Sequence, residues 1–211
     1  MRSEKLIFGH KISMYNLSIS GIIDQSLKDH KSTISYVESN DFNVKFSDSL
    51  KMIFDSIQNQ GCIFTCGNGG SFSDAQHFTA ELVVRYKRDR EPLSSITLGC
   101  NLSNISACSN DYSYEYIFER DYKALSKKED TLIAISTSGN SPNIRKVLNF
   151  ANEKKRNWIL LTSDKIKNEP SGGIVIKFPF SSTAAVQEAH IFTLHLLCRS
   201  IDDLILGNEN S

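Results

Sequence analysis

An α/β fold with a mainly parallel sheet covered by helices on both faces is predicted by three features of this sequence. Five short apolar runs rich in β-branched residues alternate with longer stretches of helical period. Such alternation implies right-handed strand-helix-strand crossovers, hence parallel strands buried on both faces. The chain has 211 residues, 40% hydrophobic and 23% charged, which suits one ordinary globular domain with a sizeable core.

The elements follow in order. Residues 1–14 read as an extension, with basic residues but no apolar stretch of signal-peptide length. Two helical patterns follow, near 15–37 and 47–60, the second ended by Gly61 as the residue just past the cap. "CIFTC" (62–66) is the first strand, and "FSDAQHFTAELVVRY" (72–86) the helix after it. "SSITL" (94–98) is a second strand, followed by the helix "SYEYIFERDYKALS" (113–126). "TLIAIS" (131–136) leads to a helix opened by Pro142, whose fixed φ and missing N–H suit a first turn. "WILLTS" (158–163) and "GIVIKF" (173–178) complete the strands, and a long helix over 183–206 precedes the polar tail 207–211. A single domain over 15–206 is expected.

Composition narrows the function. The 24 basic and 24 acidic residues cancel, and no basic stripe is present, which disfavours a nucleic-acid binder. No segment approaches the roughly 20 apolar residues of a membrane span, so a cytoplasmic protein is expected. The five cysteines are scattered without a Cys-x-x-Cys pair and read as reduced core residues. Trp158, Phe150 and Phe192 fall at core periodicity, Tyr112, Tyr114 and Tyr116 divide between packing and an interface, and His10 and His30 read as solvated.

Ligands of open parallel sheets bind beyond the carboxyl ends of the strands. Two junctions there suit an anion: Asn68, Gly69, Gly70 and Ser71 after the first strand, and Ser136, Thr137, Ser138 and Ser141 after the third. Free N–H groups and the helix dipole favour negative charge at such sites, glycine lets the backbone approach, and hydroxyls donate to phosphate oxygens. The same residues equally serve as turn and cap residues. Neither loop fits a Walker A or dinucleotide fingerprint, so a sugar phosphate suits them better than a nucleotide.

His77 and Glu81, four apart, share one helix face, a spacing that serves a shared metal or a surface hydrogen bond. Gln187 and His195 are eight apart on the last helix, within about 80° of each other, while His190 lies off that line. Histidine nitrogens with carboxylate or amide oxygen are a donor set that zinc accepts. A carboxylate base and an imidazole acid beside a bound sugar phosphate are what ketose-aldose isomerisation through an enediol needs.

Four segments, "CGNGGSFSDAQHFTAELVVRY", "ISACSNDYSYEYIF", "AISTSGNSPNI" and "QEAHIFTLH", occur in an order that resembles the sugar isomerase (SIS) domain superfamily and, within it, the phosphoheptose isomerase family. They span about residues 66–195. The resemblance implies a five-stranded parallel sheet of flavodoxin-like order, a homotetramer, and conversion of sedoheptulose 7-phosphate to D-glycero-D-manno-heptose 7-phosphate for lipopolysaccharide or capsule. It further implies zinc on His77, Glu81, Gln187 and His195, with Glu81 and His195 as base and acid. Ser71, Ser136, Thr137, Ser138 and Ser141 would hold the phosphate, and Arg85, one turn after Glu81, would lie near the active site.

Three places depart from the family pattern. Asn101 stands where the family has an aspartate, "SSTAAV" precedes Gln187 without the usual acidic and arginine residues, and "SDKIKNEPSGG" replaces a glycine-rich turn. These changes bear on which sugar is recognised. A non-catalytic SIS module that binds the replication initiator, or a zinc-free isomerase of another sugar phosphate, would share the fold. The first of these lacks the glutamate of the metal pair, and the second lacks the paired "HFTAE" and "QEAHIFTLH" elements.

Overall fold

A computed structural model describes residues 6–7, 10–11 and 18–207 of the chain. Leu6–Ile7 (β1) and His10–Lys11 (β2) pair antiparallel. The rest of the expected extension, the side chain of His10 and the tail beyond Gly207 lie outside the described residues.

Helix α1 (Ile19–Ile34) starts at Ser18, whose hydroxyl accepts from the Gly21 N–H, and α2 (Asn40–Gln58) starts at Ser39, which accepts from Phe42. Both are ordinary serine caps. The second therefore begins seven residues earlier than the apolar pattern predicted. It ends differently too. Gln60, not Gly61, takes the left-handed conformation (φ 59°), and the Gly61 N–H closes onto the Ser56 carbonyl at 2.8 Å while Gln60 closes onto Ile57. This is a Schellman ending with Gly61 one position further out than expected.

The main sheet comprises β3 (Ile63–Gly67), β4 (Ser95–Thr97), β5 (Thr131–Ile135), β6 (Asn157–Ser163) and β7 (Ile174–Phe178). Its order is β4-β3-β5-β6-β7 with every pairing parallel, the flavodoxin-like order expected. The chain leaves β3 for the edge at β4 and returns on the other side as β5. That reversal opens a crevice at the carboxyl ends of β3 and β5.

Alternation along the strands divides the core in two. Ile63, Ile133, Ile135, Ile159, Leu161 and Ile176 pack with α2, with α3 (Gly70–Val83) and with α7 (Thr183–Leu206). Phe64, Leu132, Ala134, Trp158 and Leu160 face the opposite layer, made by α4 (Leu102–Asp111), α5 (Ile117–Leu125) and α6 (Pro142–Glu153). Helix α4 was not anticipated: only Cys108 of its ten residues is buried, so it carries almost no apolar stripe.

Three expectations about single residues change. Phe192 is 41% exposed, on the outer side of α7, unlike buried Trp158 and Phe150. Cys100 is exposed, although all five cysteines are free. His30 is not merely solvated, since its Nδ1 lies 2.6 Å from Glu188 Oε2 and ties α1 to α7. No helix among the described residues is long and apolar enough to cross a membrane.

Candidate active site

The crevice is framed by the two loops that the sequence singled out. After β3, the Ser71 N–H donates to the Asn68 carbonyl at 3.1 Å across a turn whose Gly69 has φ 55° and ψ −123°. Those are the angles of the first central position of a type II′ turn, which glycine adopts without strain. The Asn68 side chain crosses to the second loop: it and Asn143 exchange amide hydrogen bonds, Nδ2 to Oδ1 at 2.9 Å in both directions. Tyr114 adds its hydroxyl to Asn68 Oδ1 at 3.1 Å. Beside this loop a mostly apolar cavity of about 220 Å³ is lined by Phe72, Gly99, Leu102, Ile105 and Phe118.

The second loop winds tightly after β5. The Gly139 N–H donates to Ser136 Oγ at 3.2 Å, the Asn140 N–H donates to Ser138 Oγ at 3.2 Å, and Ser136 Oγ lies 3.5 Å from Ser141 Oγ. Gly139 has φ 64°, and a Cβ there would sit 2.6 Å from Thr162 Oγ1, so both conformation and space demand glycine. The helices that start from the two loops, α3 and α6, have no side-chain cap. Helix α5 also lacks one, whereas α1, α2, α4 and α7 are each capped by a serine or asparagine oxygen. An anion at the crevice would meet the positive ends of two helix dipoles, together with hydroxyls.

Helices α3 and α7 lie side by side and bring the metal-capable residues together. One ligand atom each from His77, Glu81 and His195 lies within 4.8 Å of the others. His77 Nε2 is 3.0 Å from Glu81 Oε1, and the two imidazoles meet edge to face with centroids 5.1 Å apart. Tyr86 stacks on the far side of His195 at 5.7 Å. Burial, then the neighbouring His77, hold His195 below the ordinary histidine pKa, and Glu81 counters only in part. The shift favours the neutral imidazole, the state that offers a lone pair.

Gln187 reaches the first loop from α7. It is two turns earlier on α7, about 12 Å along the axis from His195, and its amide packs so closely on Gly70 that a Cβ there would overlap it. The helix stops before Arg85: α3 ends at Val83, and Arg85, exposed and beyond the helix, donates to the Lys87 carbonyl at 3.3 Å. The cause is Arg90, whose Nη2 and Nη1 take the Glu81 and Leu82 carbonyls at 2.8 Å, the acceptors that residues 85 and 86 would need to continue the helix. Asn101 caps α4, its Oδ1 accepting from Ser103 and Asn104 at 3.0 and 3.3 Å.

Three residues at the site went unread in the sequence. Asn143 and Tyr114 complete the bridge between the loops, and Asn143 was detectable as the polar residue following Pro142 at the loop mouth. Asp74 lies on α3 seven residues before Glu81, nearly the same face. Its Oδ2 is buried without a partner, and burial raises its pKa while His77 pulls it down.

Comparison with known proteins identifies the family. The SIS domain family model matches residues 29–163. The phosphoheptose isomerase of Bordetella avium is 41% identical over 170 residues, 76% of this chain and 83% of the relative. This chain belongs to the phosphoheptose isomerase family of SIS-domain enzymes. A second member of the family, from Helicobacter pylori strain P12, is 44% identical over 155 residues, 73% of this chain and 81% of its own length. The solved phosphoheptose isomerase of Francisella tularensis superposes with a TM-score of 0.74 at 28% identity, covering 87% of this chain and 94% of that one. Its counterpart from Neisseria gonorrhoeae gives 0.70 at 30% identity with the same coverage.

Proposed function

We propose that this enzyme converts sedoheptulose 7-phosphate to D-glycero-D-manno-heptose 7-phosphate, with Glu81 and His195 moving the protons. The observation that carries the reading is the meeting of His77, Glu81 and His195 on α3 and α7, on a helix that starts from the first candidate phosphate loop. The rise of 1.5 Å per residue puts His77 about 10 Å beyond Gly70 along α3. A phosphate held at the loop thus needs a chain of roughly six or seven carbons, at about 1.3 Å advance per bond, to bring its carbonyl to the trio.

Ser136, Thr137, Ser138 and Ser141, with Ser71, hold the phosphate, and Asn68 keeps the two loops in register through Asn143. Gln187, beside Gly70, faces the sugar chain between loop and trio. Glu81 takes the proton next to the carbonyl, and the His195 imidazole, once protonated, delivers one to the carbonyl oxygen to give an enediol; Glu81 then returns its proton to the former carbonyl carbon while His195 takes back the proton of the other enediol hydroxyl. Two imidazole nitrogens and a carboxylate oxygen within 4.8 Å fit zinc and leave a position for substrate. Zinc bound there would polarise the sugar carbonyl as a Lewis acid.

A homotetramer is part of the reading, supported by apolar residues left in the open on α1 (Ile19, Ile22, Ile23 and Leu27) and by Phe192 on α7. The cytoplasm is the compartment in which such a phosphorylated substrate would be met. The test is conversion of sedoheptulose 7-phosphate followed by NMR, together with the zinc content of wild type and His77→Ala. Aldose product that requires Glu81, and zinc that requires His77, are expected. Folded, zinc-supplied protein that forms no product would overturn the substrate assignment.

A further inference from the structure

The segment between β6 and β7 is strapped onto the outside of the Ser136–Ser141 loop. Asn140 accepts the Lys167 N–H on Oδ1 at 2.8 Å and donates Nδ2 to the Lys165 carbonyl at 3.1 Å. Arg145, in the first turn of α6, donates Nη1 to the Asn168 carbonyl at 2.7 Å and Nη2 to the Lys167 carbonyl and, at 3.4 Å, to Asn140 Oδ1. Ser163 Oγ donates to the Thr137 carbonyl at 2.5 Å, and Ile166 lies against Gly139, where a Cβ would meet it at 2.8 Å.

Arg145 makes no ion pair among the described residues. A cation in the first turn of a helix lies at the positive end of the dipole, where it is disfavoured. The carbonyls of Lys167 and Asn168 offset part of that cost, and an anion at the neighbouring Ser136–Ser141 loop would offset more. Arg145 and Asn140 thus share a fork of hydrogen bonds that fixes how this loop curves.

We propose that Arg145, acting through Asn140 and the strapped segment 165–168, is a positioning residue of the phosphate clamp. It sets the affinity for the phosphate end of the substrate and leaves the proton transfers alone. The proposal rests on the reading of residues 136–141 as that clamp, and the experiment separates the two.

Inorganic phosphate is titrated by calorimetry into wild type, Ser138→Ala, Arg145→Gln, Arg145→Lys, Asn140→Ala and the Arg145→Gln/Asn140→Ala double variant, with KM, kcat and Tm measured alongside. Arg145→Gln is expected to weaken phosphate binding and raise KM about tenfold with kcat within about twofold, the pattern of lost ground-state binding. Arg145→Lys, which keeps the charge but not the fork, recovers part of the loss. The double variant is no weaker than Arg145→Gln alone, because both changes break one network. If Ser138→Ala weakens phosphate and Arg145→Gln does not, the strap is wrong and the clamp stands. If neither does, the clamp reading falls and the proposal with it. A lowered Tm with unchanged phosphate affinity and KM would make Arg145 a staple of the fold only, and likewise overturns the proposal.

Discussion

Arg90 and Asp202 form an ion pair at 2.9 Å with side chains only 2% and 3% exposed, and the same guanidinium closes the end of the helix that carries Glu81. The pair joins the segment after α3 to α7, the two elements that hold the trio. Its function is therefore tied to the site.

Removing one partner should be costly, because the other charge stays buried. Asp202→Asn is expected to destabilise the fold by about 3–5 kcal/mol. Denaturant unfolding measures it, and a change below 1 kcal/mol, on the order of a surface pair, would show that water reaches Arg90. The folded fraction should also turn over more slowly, since Arg90, which holds the Glu81 carbonyl, loses its charged anchor on α7.

Glu81→Gln should abolish isomerisation while leaving the fold and its melting temperature nearly unchanged. The side chain contacts His77 at 3.0 Å and is not part of the hydrophobic core, so little packing is lost. An amide in its place cannot accept the substrate proton. Ordinary turnover in the folded variant would remove Glu81 from the mechanism.

How much of this was legible depended on whether a residue's partner lay close in sequence. The central strands β3, β5 and β6 were visible because they are buried on both faces and read as apolar runs, and His77 with Glu81 because helical spacing joins them. Helix α4 was hidden because a mostly exposed helix leaves no periodic stripe. The end of α3 was hidden because Arg90 competes for its carbonyls from outside the helix. The Asn68–Asn143 pair joins residues 75 apart, which spacing cannot show. The place of Gln187 depends on how α7 slides against α3, which is likewise tertiary.

Asn143→Ala tests the bridge between the loops. Asn143 is buried and holds Asn68 and the Ile144 N–H, so its loss leaves groups without partners at a cost of about 1–3 kcal/mol. Because the first and second loops would then move independently, KM should rise more than kcat falls. Steady-state kinetics with folded protein measure the split, and an unchanged KM would show that the loops keep their register without the amide pair.

His190 gives a prediction about pH. It is fully buried, its Nε2 faces the Thr162 carbonyl at 3.3 Å, and its Nδ1 has no partner. Burial pushes its pKa down to about 4, with the Thr162 carbonyl pulling weakly the other way. Above pH 6.5 the imidazole is neutral folded and unfolded, and stability does not depend on it. As pH falls from 6.5 toward 4 the unfolded chain takes up a proton that the folded one refuses, so stability drops, by about 3 kcal/mol once both forms are charged. Urea unfolding across that range, with a chelator present so that metal ligands do not contribute, should show a steeper loss for wild type than for His190→Leu. Parallel slopes would mean that His190 is protonated inside the fold, where only a rearranged Thr162 or an entering water could receive the second N–H.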